Sequence, residues 1–143
     1  MSKKQNSIQK EVRLSGVGLH TGNTVNMTLK PAPINHGFAF SRIDLEGCPV
    51  IEARAEYVTN TQRGTNLEKN GVLIQTSEHV LAAAVGLGID NLLIVIDASE
   101  PPIMDGSSKF FVAALEEAGI KEQEAFVEEY VVKEIISYKD EKS

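Results

Sequence analysis

Residues 72–97 read VLIQTSEHVLAAAVGLGIDNLLIVID, and this stretch decides the fold. It begins with three apolar residues, as in a short buried strand, and the Thr-Ser pair at 76–77 offers preferred N-cap residues for a following helix. Gly86 and Gly88 mark the end of that helix. Residues 91–97 are almost continuously apolar, which predicts a strand buried on both faces.

The sequence on either side predicts further strands and a second helix. Apolar and polar residues alternate in the manner of half-buried strands at 8–14, 25–29, 38–43 and 50–58. Residues 59–69 predict a polar loop with room for a short strand, and Asn70-Gly71 is a strong hairpin signal. Residues 107–118 predict a helix that Gly119 ends. This order predicts an α+β fold, a two-layer sandwich of a mainly antiparallel sheet with two helices.

The chain divides into four predicted parts. Residues 1–7 are polar and predict a disordered start, and residues 8–120 form the main domain. Residues 121–125 are largely charged and predict a linker. Residues 126–143 open with an apolar run typical of a strand, which we interpret as the first strand of a second domain.

Composition limits the class of protein. The chain has 143 residues and a formal net charge of −6, so clustered basic residues of the kind that bind nucleic acid are lacking. The single cysteine, Cys48, forms no intrachain disulfide and indicates a reducing compartment. The polar start is unlike a signal peptide, and no apolar run is long enough to cross a bilayer. We therefore expect a soluble cytoplasmic protein.

Glu78 and His79 are the strongest candidates for chemistry. They lie in the first turn of the predicted helix, where the helix dipole favours a carboxylate and disfavours a protonated imidazole. A neutral histidine beside a carboxylate suits a metal site in which the carboxylate is the general base. The structural alternative is that both are ordinary first-turn residues, because acidic side chains are common there.

Three other residues are candidates with structural alternatives of their own. His20 lies in a glycine-rich loop, Arg63 in a polar loop suited to a phosphate or carboxylate, and Asp105 just before the second helix. Their structural alternatives are, respectively, an incidental hairpin residue, a solvated arginine and a helix N-cap, and for Arg63 and Asp105 the structural alternative is favoured. A catalytic zinc usually has three protein ligands, and no second ligand stands at helical or hairpin spacing from His79. Any zinc site would thus take a minority of its ligands from this chain.

Five stretches together resemble the UDP-3-O-acyl-N-acetylglucosamine deacetylases, in that family's order and spacing. They are GVGLHTG at 16–22, KPAP at 30–33, TSEH at 76–79, GLGIDN at 86–91 and PIMDGS at 102–107. The resemblance implies a zinc-dependent hydrolysis of the N-acetyl group of a UDP-linked acylated glucosamine, a step of lipid A biosynthesis in Gram-negative bacteria. It also implies two similar domains packed face to face, with the site between them.

The resemblance assigns roles residue by residue. His79 would be a zinc ligand and Glu78 the general base, while Leu19 and His20 would lie in a substrate-binding loop near the site. Asp105 would belong to a mainly structural loop near the site. The family's remaining zinc ligands and its general-acid histidine belong to the C-terminal domain, which would be the main partner. We therefore expect this chain alone to be inactive.

Two further expectations concern relatives and partners. The loop at 60–65, which includes Arg63, resembles the Bacteroidetes-type enzymes, some of which are fused to an acyl-carrier-protein dehydratase. The alternative to half an enzyme is a non-catalytic binding or assembly module. Such a module would self-associate through its exposed apolar face and an unpaired strand.

Overall fold

The computed structural model describes residues 4–18, 22–61, 64–75, 77–104 and 108–126 of the chain. Within these ranges the chain forms strands, two α-helices and one short 3-10 helix at Ala55–Tyr57. Their bounds, in chain order, are β1 Lys4–Ile8, β2 Val12–Val17, β3 Thr24–Pro31, β4 Phe38–Arg42, β5 Val50–Glu52, β6 Val58–Thr61, β7 Gly64–Lys69, β8 Val72–Ile74, α1 Glu78–Gly86, β9 Leu92–Ile96, α2 Lys109–Ala118 and β10 Ile120–Phe126.

A five-stranded sheet forms one layer, with the strand order β2-β3-β9-β4-β5. Its strand pairs are antiparallel except for β4 and β9, which run parallel. Leu29, Ile94 and Phe40 lie side by side across three neighbouring strands, and all three are fully buried. Both helices contribute residues to the same apolar core, so they cover this face of the sheet. The predicted α+β sandwich is confirmed.

The apolar strand β9 is buried mainly on one face. Leu92, Ile94 and Ile96 are buried towards the helices, whereas Leu93 and Val95 on the other face are only half-buried. The prediction of burial on both faces is therefore wrong for the outer face. The reason is that both helices pack on the same side of the sheet, and a strand in a two-layer sandwich has one covered face.

A second sheet of three strands, β6-β7-β8, joins the core through one buried pair, Leu67 and Ile74. Asn70 and Gly71 have φ values of 52° and 81° and connect β7 to β8 in a two-residue hairpin, as predicted. Residues 59–61 and 64–69, predicted as mostly loop, lie in β6 and β7. Residues 50–58 are not one strand, because the 3-10 helix separates β5 from β6.

Lys69 ties this small sheet to the main one. Its Nζ donates a hydrogen bond of 3.0 Å to Oε1 of Glu52 in β5 and lies 5.0 Å from the ring centroid of Tyr57. The hydrogen bond holds the pKa of Glu52 below its ordinary value and raises the pKa of Lys69. The two sheets are therefore joined by polar contacts as well as by the core.

The two ends of the described chain pair as an antiparallel ribbon, β1 with β10. This overturns two predictions, since residues 4–7 are not a disordered start and residues 121–125 are not a linker. The strand predicted at 8–14 is also split, because β1 ends at Ile8 and β2 begins at Val12. Residues 127–143 lie outside the described part of the chain, so the second-domain strand there stays a prediction.

Helix α1 begins and ends close to its predicted bounds. Ser77 occupies the N-cap position and is fully buried, but its side chain makes no capping hydrogen bond. At the other end, Ile89 N–H donates to the carbonyl of Ala84, and Gly88 N–H donates to the carbonyl of Val85. With a φ of 76° at Gly88, this is a Schellman motif. In the described ranges, no helix is long and apolar enough to cross a membrane.

Candidate functional site

Glu78 and His79 are the first two residues of α1, and the structure brings their side chains together. Oε2 of Glu78 lies 3.9 Å from Nε2 of His79. The Glu78 side chain is 22% exposed and the His79 side chain 38% exposed, so both reach solvent. Because both side chains are partly exposed, a small ligand can reach a position between or beside the carboxylate and the imidazole.

The start of α1 is fixed by the loop that follows β9. The N–H of Gln75 donates a hydrogen bond of 2.6 Å to the carbonyl of Ser99, and the Ser99 hydroxyl lies 3.4 Å from Oε1 of Gln75. Gln75 is three residues before Glu78, so this contact holds the entry into the helix. The fixed backbone limits where the two site side chains can point.

The same loop also holds the end of β2. Gly18 forms an antiparallel bridge with Pro102, and Ile103 N–H donates a hydrogen bond of 2.8 Å to the carbonyl of Val17. Three segments are thereby joined by backbone contacts: the end of β2, the loop after β9 and the entry into α1. The first two contacts lie within the glycine-rich and PIMDGS motifs of the sequence, and the third lies just before the TSEH motif.

Gly16 permits this close packing of β2 against the loop. A Cβ atom on Gly16 would lie 3.0 Å from Cβ of Pro102 and 3.2 Å from Sδ of Met104. Glycines serve either where φ is positive or where the backbone is closely approached. Gly16 provides the close approach, and Gly22, with a φ of 72°, provides the positive φ.

Glu100 is a residue that the sequence analysis did not single out. Its carboxylate is fully buried in the loop after β9, and it has interaction partners inside the fold. No buried side-chain nitrogen or oxygen in the described residues lacks a hydrogen-bond partner. A glutamate in a proline-rich loop is expected on the surface, and the two prolines after it were the only signal of a rigid segment.

Four of the predicted site residues lie outside the described residues, namely Leu19, His20, Arg63 and Asp105. Their roles stay predictions. The structure does show what borders them: Gly18 and Met104 flank two of these segments, and both belong to the joined loops described above.

The donor set around His79 is small. No group of three or more histidine, cysteine, aspartate or glutamate side chains that could hold a metal occurs among the described residues. His79 and Glu78 fit a metal site as one imidazole ligand and one adjacent carboxylate. Because a catalytic zinc takes about three protein ligands, further ligands would have to come from elsewhere.

Comparison with known proteins gives consistent matches. The family model described as UDP-3-O-acyl N-acetylglycosamine deacetylase (LpxC) matches residues 5–143. A protein of Bacteroides thetaiotaomicron named bifunctional enzyme LpxC/FabZ is 49% identical over 96% of this chain and 30% of its own length. A UDP-3-O-acyl-N-acetylglucosamine deacetylase of Xanthomonas campestris is 50% identical over 83% of this chain and 39% of its own length.

A third relative, the UDP-3-O-acyl-N-acetylglucosamine deacetylase of Myxococcus xanthus, is 46% identical over 95% of this chain and 43% of its own length. In all three cases the chain spans less than half the length of the curated relative that it matches. More than half of each relative therefore has no counterpart in the 143 residues.

Proposed function

The chain belongs to the UDP-3-O-acyl N-acetylglycosamine deacetylase family, and we propose on that basis that it supplies one part of a deacetylase active site. The reaction is hydrolysis of the N-acetyl group of UDP-3-O-acyl-N-acetylglucosamine, in lipid A biosynthesis. The relatives' names support this substrate, and the match over residues 5–143 supports the family. The observation that carries the proposal is the Glu78–His79 pair at the start of α1, with 3.9 Å between Oε2 and Nε2.

Glu78 acts as the general base. Its carboxylate is partly exposed and can accept a proton from a water molecule that attacks the acetyl carbonyl carbon. The water oxygen first adds to the carbonyl carbon, and the C–N bond then breaks to release acetate, while the sugar nitrogen leaves as an amine that has taken up the proton removed from the water. Glu78 Oε2 lies 3.9 Å from Nε2 of the imidazole, so the base lies beside the metal-binding group.

His79 contributes one ligand to a zinc ion. Its Nε2 is the ring nitrogen closer to Glu78, and the side chain is exposed enough to bind an ion at the surface of this domain. Zinc, when bound, lowers the pKa of a bound water and polarises a carbonyl group. The other ligands come from the part of the protein that this chain does not include. That part is expected from the share of each relative that the chain covers.

The outer face of α1 is a surface on which the remaining part of the protein could pack. Ala82 and Gly86 are exposed on a helix whose other residues are almost all apolar, and Val85 is only half-buried. A helix that is apolar on nearly every side is usually covered on every side. We propose that the remainder of the protein packs on this face, next to Glu78 and His79.

The remaining predicted site residues complete the proposal. Leu19, His20 and Arg63 bind the substrate, and Asp105 stabilises a loop near the site. We place the enzyme in the cytoplasm, because the substrate is attached to a uridine nucleotide and nucleotide sugars are made there.

Zinc titration by calorimetry tests the split site directly. We expect weak binding by the 143-residue chain, and tight binding when the chain is extended to the length of its relatives, because one imidazole leaves most of the coordination to water. His79→Ala serves as the control and should abolish the tight binding. Tight stoichiometric binding by the short chain alone would contradict the proposal that the ligands are divided between two parts of the protein.

A further inference from the structure

A group of hydrogen-bonded amide side chains, two of which are buried, lies where β1 meets β10. Asn91 is 1% exposed and Gln5 is 4% exposed, and each makes several hydrogen bonds to other parts of the chain. We name the group Gln5, Asn35, Asn91 and Gln123 the amide cluster. Its members lie in β1, in the turn before β4, just before β9 and in β10, so it joins segments far apart in sequence.

Asn91 is the centre of the amide cluster. Its Nδ2 donates to Oε1 of Gln5 at 2.8 Å and to Oε1 of Gln123 at 2.7 Å. Its Oδ1 accepts a hydrogen bond of 2.8 Å from the N–H of Gly37. Every polar atom of the Asn91 side chain is thus used, which fixes its orientation.

Two of these side chains hold β10. Gln123 Nε2 donates to the carbonyl of Ala32 at 2.9 Å, in addition to its contact with Asn91. Gln5 Nε2 donates to the carbonyl of Phe126 at 2.9 Å, and Phe126 is the last described residue of the chain. The position of β10 up to Phe126 is therefore held by the amide cluster.

Apolar packing contributes little to the register of β10, and its other fixed point lies at its start, where Gln9 N–H donates to the carbonyl of Gly119 just after α2. Most side chains of β10 are exposed, and its apolar residues Ile120 and Phe126 are 36% and 61% exposed. Strand register is weakly specified where no apolar face is buried, and a two-stranded ribbon alone is marginally stable. The pairing also shifts between Lys4 and Asn6, so the ladder by itself is irregular. Directional hydrogen bonds to buried amides supply the register that apolar packing does not.

The same ribbon holds the far end of α1. Asn6 Nδ2 donates to the carbonyl of Gly88, and the N–H of Asn6 donates to Oδ2 of Asp90. The N–H groups of Asp90 and Asn91 both donate to the carbonyl of Asn6. The helix that begins with Glu78 therefore ends on β1, and β1 carries β10.

We infer that the amide cluster is a positioning device for the active site. It fixes β10 as far as Phe126 relative to the end of α1, and β10 is the strand that leads to the later part of the protein. The inference rests on the proposed function, because it takes that later part to supply groups that act with Glu78 and His79. Gln123 is then a positioning residue, which acts through the placement of β10.

The first test uses amide hydrogen exchange on this chain with Gln123→Met. The substitution keeps the side-chain length and removes both hydrogen bonds of Gln123, while Gln5 and Asn91 stay bonded to each other. We expect amide exchange at 122–126 to speed up about tenfold, and exchange in β3 and β9 to stay unchanged. Unchanged exchange in β10 would overturn the role of the amide cluster in holding the strand.

The second test uses the protein extended to the length of its relatives. We expect Gln123→Met to lower kcat and weaken zinc binding about 10- to 100-fold, with little change in KM, because metal ligands and base are misplaced. Gln9→Met is the matched control: Gln9 donates one exposed hydrogen bond to the Ile120 carbonyl at the other end of the ribbon. It should leave kcat and zinc affinity unchanged.

The two proposals fail in different ways. If Glu78→Gln abolishes activity and Gln123→Met leaves kcat and zinc affinity as in the wild type, the amide cluster has only a structural role and the inference is wrong. If Glu78→Gln retains full activity, the proposed function itself is wrong, whatever Gln123→Met does. A loss of stability alone would lower the melting temperature and leave the zinc affinity of the folded enzyme intact.

Discussion

Gly16 in β2 lies so close to Pro102 that a Cβ atom on Gly16 would be 3.0 Å from the Cβ of Pro102. The contact brings the end of β2 and the loop after β9 to within backbone hydrogen-bond distance of each other. Because Ile103 N–H donates to the carbonyl of Val17 there, packing at Gly16 influences the geometry of the segments that lead into two of the predicted site loops.

Gly16→Ala should destabilise the chain by about 1–3 kcal/mol, because an added methyl group in a tightly packed site forces neighbouring atoms to move. Urea denaturation measures the loss. Met104→Ala combined with Gly16→Ala should recover part of it, since Sδ of Met104 is the second close atom. Additive effects of the two substitutions would show that the contact is not responsible.

Gly86→Ala is the counterpart of Gly16→Ala, because the added methyl group would enter open space and not a crowded contact. Gly86 is the last residue of α1, its φ is not positive, and no atom lies within 4 Å of an added Cβ. We expect a gain of about 0.5–1 kcal/mol in the isolated chain, because alanine loses less backbone entropy than glycine in a helix. A loss of stability in the same denaturation experiment would mean that this end of α1 is more crowded than the structure indicates.

Glu78→Gln and His79→Ala should have different effects, because Glu78 is proposed as the general base and His79 as the metal ligand. In the protein extended to the length of its relatives, Glu78→Gln should lower kcat about 10²- to 10⁴-fold and keep the bound zinc. His79→Ala should lose the zinc as well as the activity. Both side chains are partly exposed, so neither change should greatly alter the melting temperature. Metal analysis and steady-state kinetics on the same samples provide the measurement.

Ala82→Lys tests whether the outer face of α1 is covered. Ala82 is exposed, and lysine is a good helix former, so the stability of the isolated chain should change by less than about 0.5 kcal/mol. In the extended protein the same charge would be buried beside Glu78, and activity should fall strongly. Thr24→Lys, at an exposed position of β3, is the control and should leave activity intact. Equal activities would show that α1 stays exposed.

The Glu52–Lys69 pair predicts a pH dependence of stability. The Lys69 hydrogen bond lowers the pKa of Glu52 below 4.5, so its contribution is present above 4.5 and is lost as the pH falls through the folded-state pKa. The pKa of Lys69 is raised above 10.5, so its contribution is present below 10.5 and is lost as the pH rises through the folded-state pKa. The effect is small because both side chains are partly exposed to solvent, which screens the pair.

Glu52→Gln checks this dependence. The urea midpoint of the variant should lie slightly below that of the wild type at neutral pH, and the two should converge in acid, where Glu52 of the wild type is protonated. A difference that persists unchanged through the acid range would mean that the ion pair is not its cause.

Much of the fold could be predicted from local sequence. The α1 helix, its glycine-rich end and the Asn70-Gly71 hairpin follow from apolar spacing and turn chemistry within a few residues. The Glu78–His79 pair could be found for the same reason, because two adjacent residues at a helix start are neighbours in any fold. For these features, neighbours along the chain determine the structure.

The β1–β10 ribbon and the burial of Glu100 could not be predicted. Gln5, Ser7 and Asn91 are polar, and a local pattern places such residues in solvent. They are buried because partners far away in the chain satisfy them: the hydroxyl of Ser7, for example, donates to the carbonyl of Asn91, 84 residues later.

The sequence by itself determined the α+β class, the family resemblance and the position of the carboxylate–imidazole pair, because each depends on residue types at short or fixed spacing. Only the tertiary structure decided that the first and last described strands pair, and that α1 ends on that ribbon. It also decided that the end of β2 and the loop after β9 meet at Gly16. These features depend on hydrogen bonds and close contacts between segments that are distant in the sequence. Such contacts stabilise the chain only when it has folded and the segments have met.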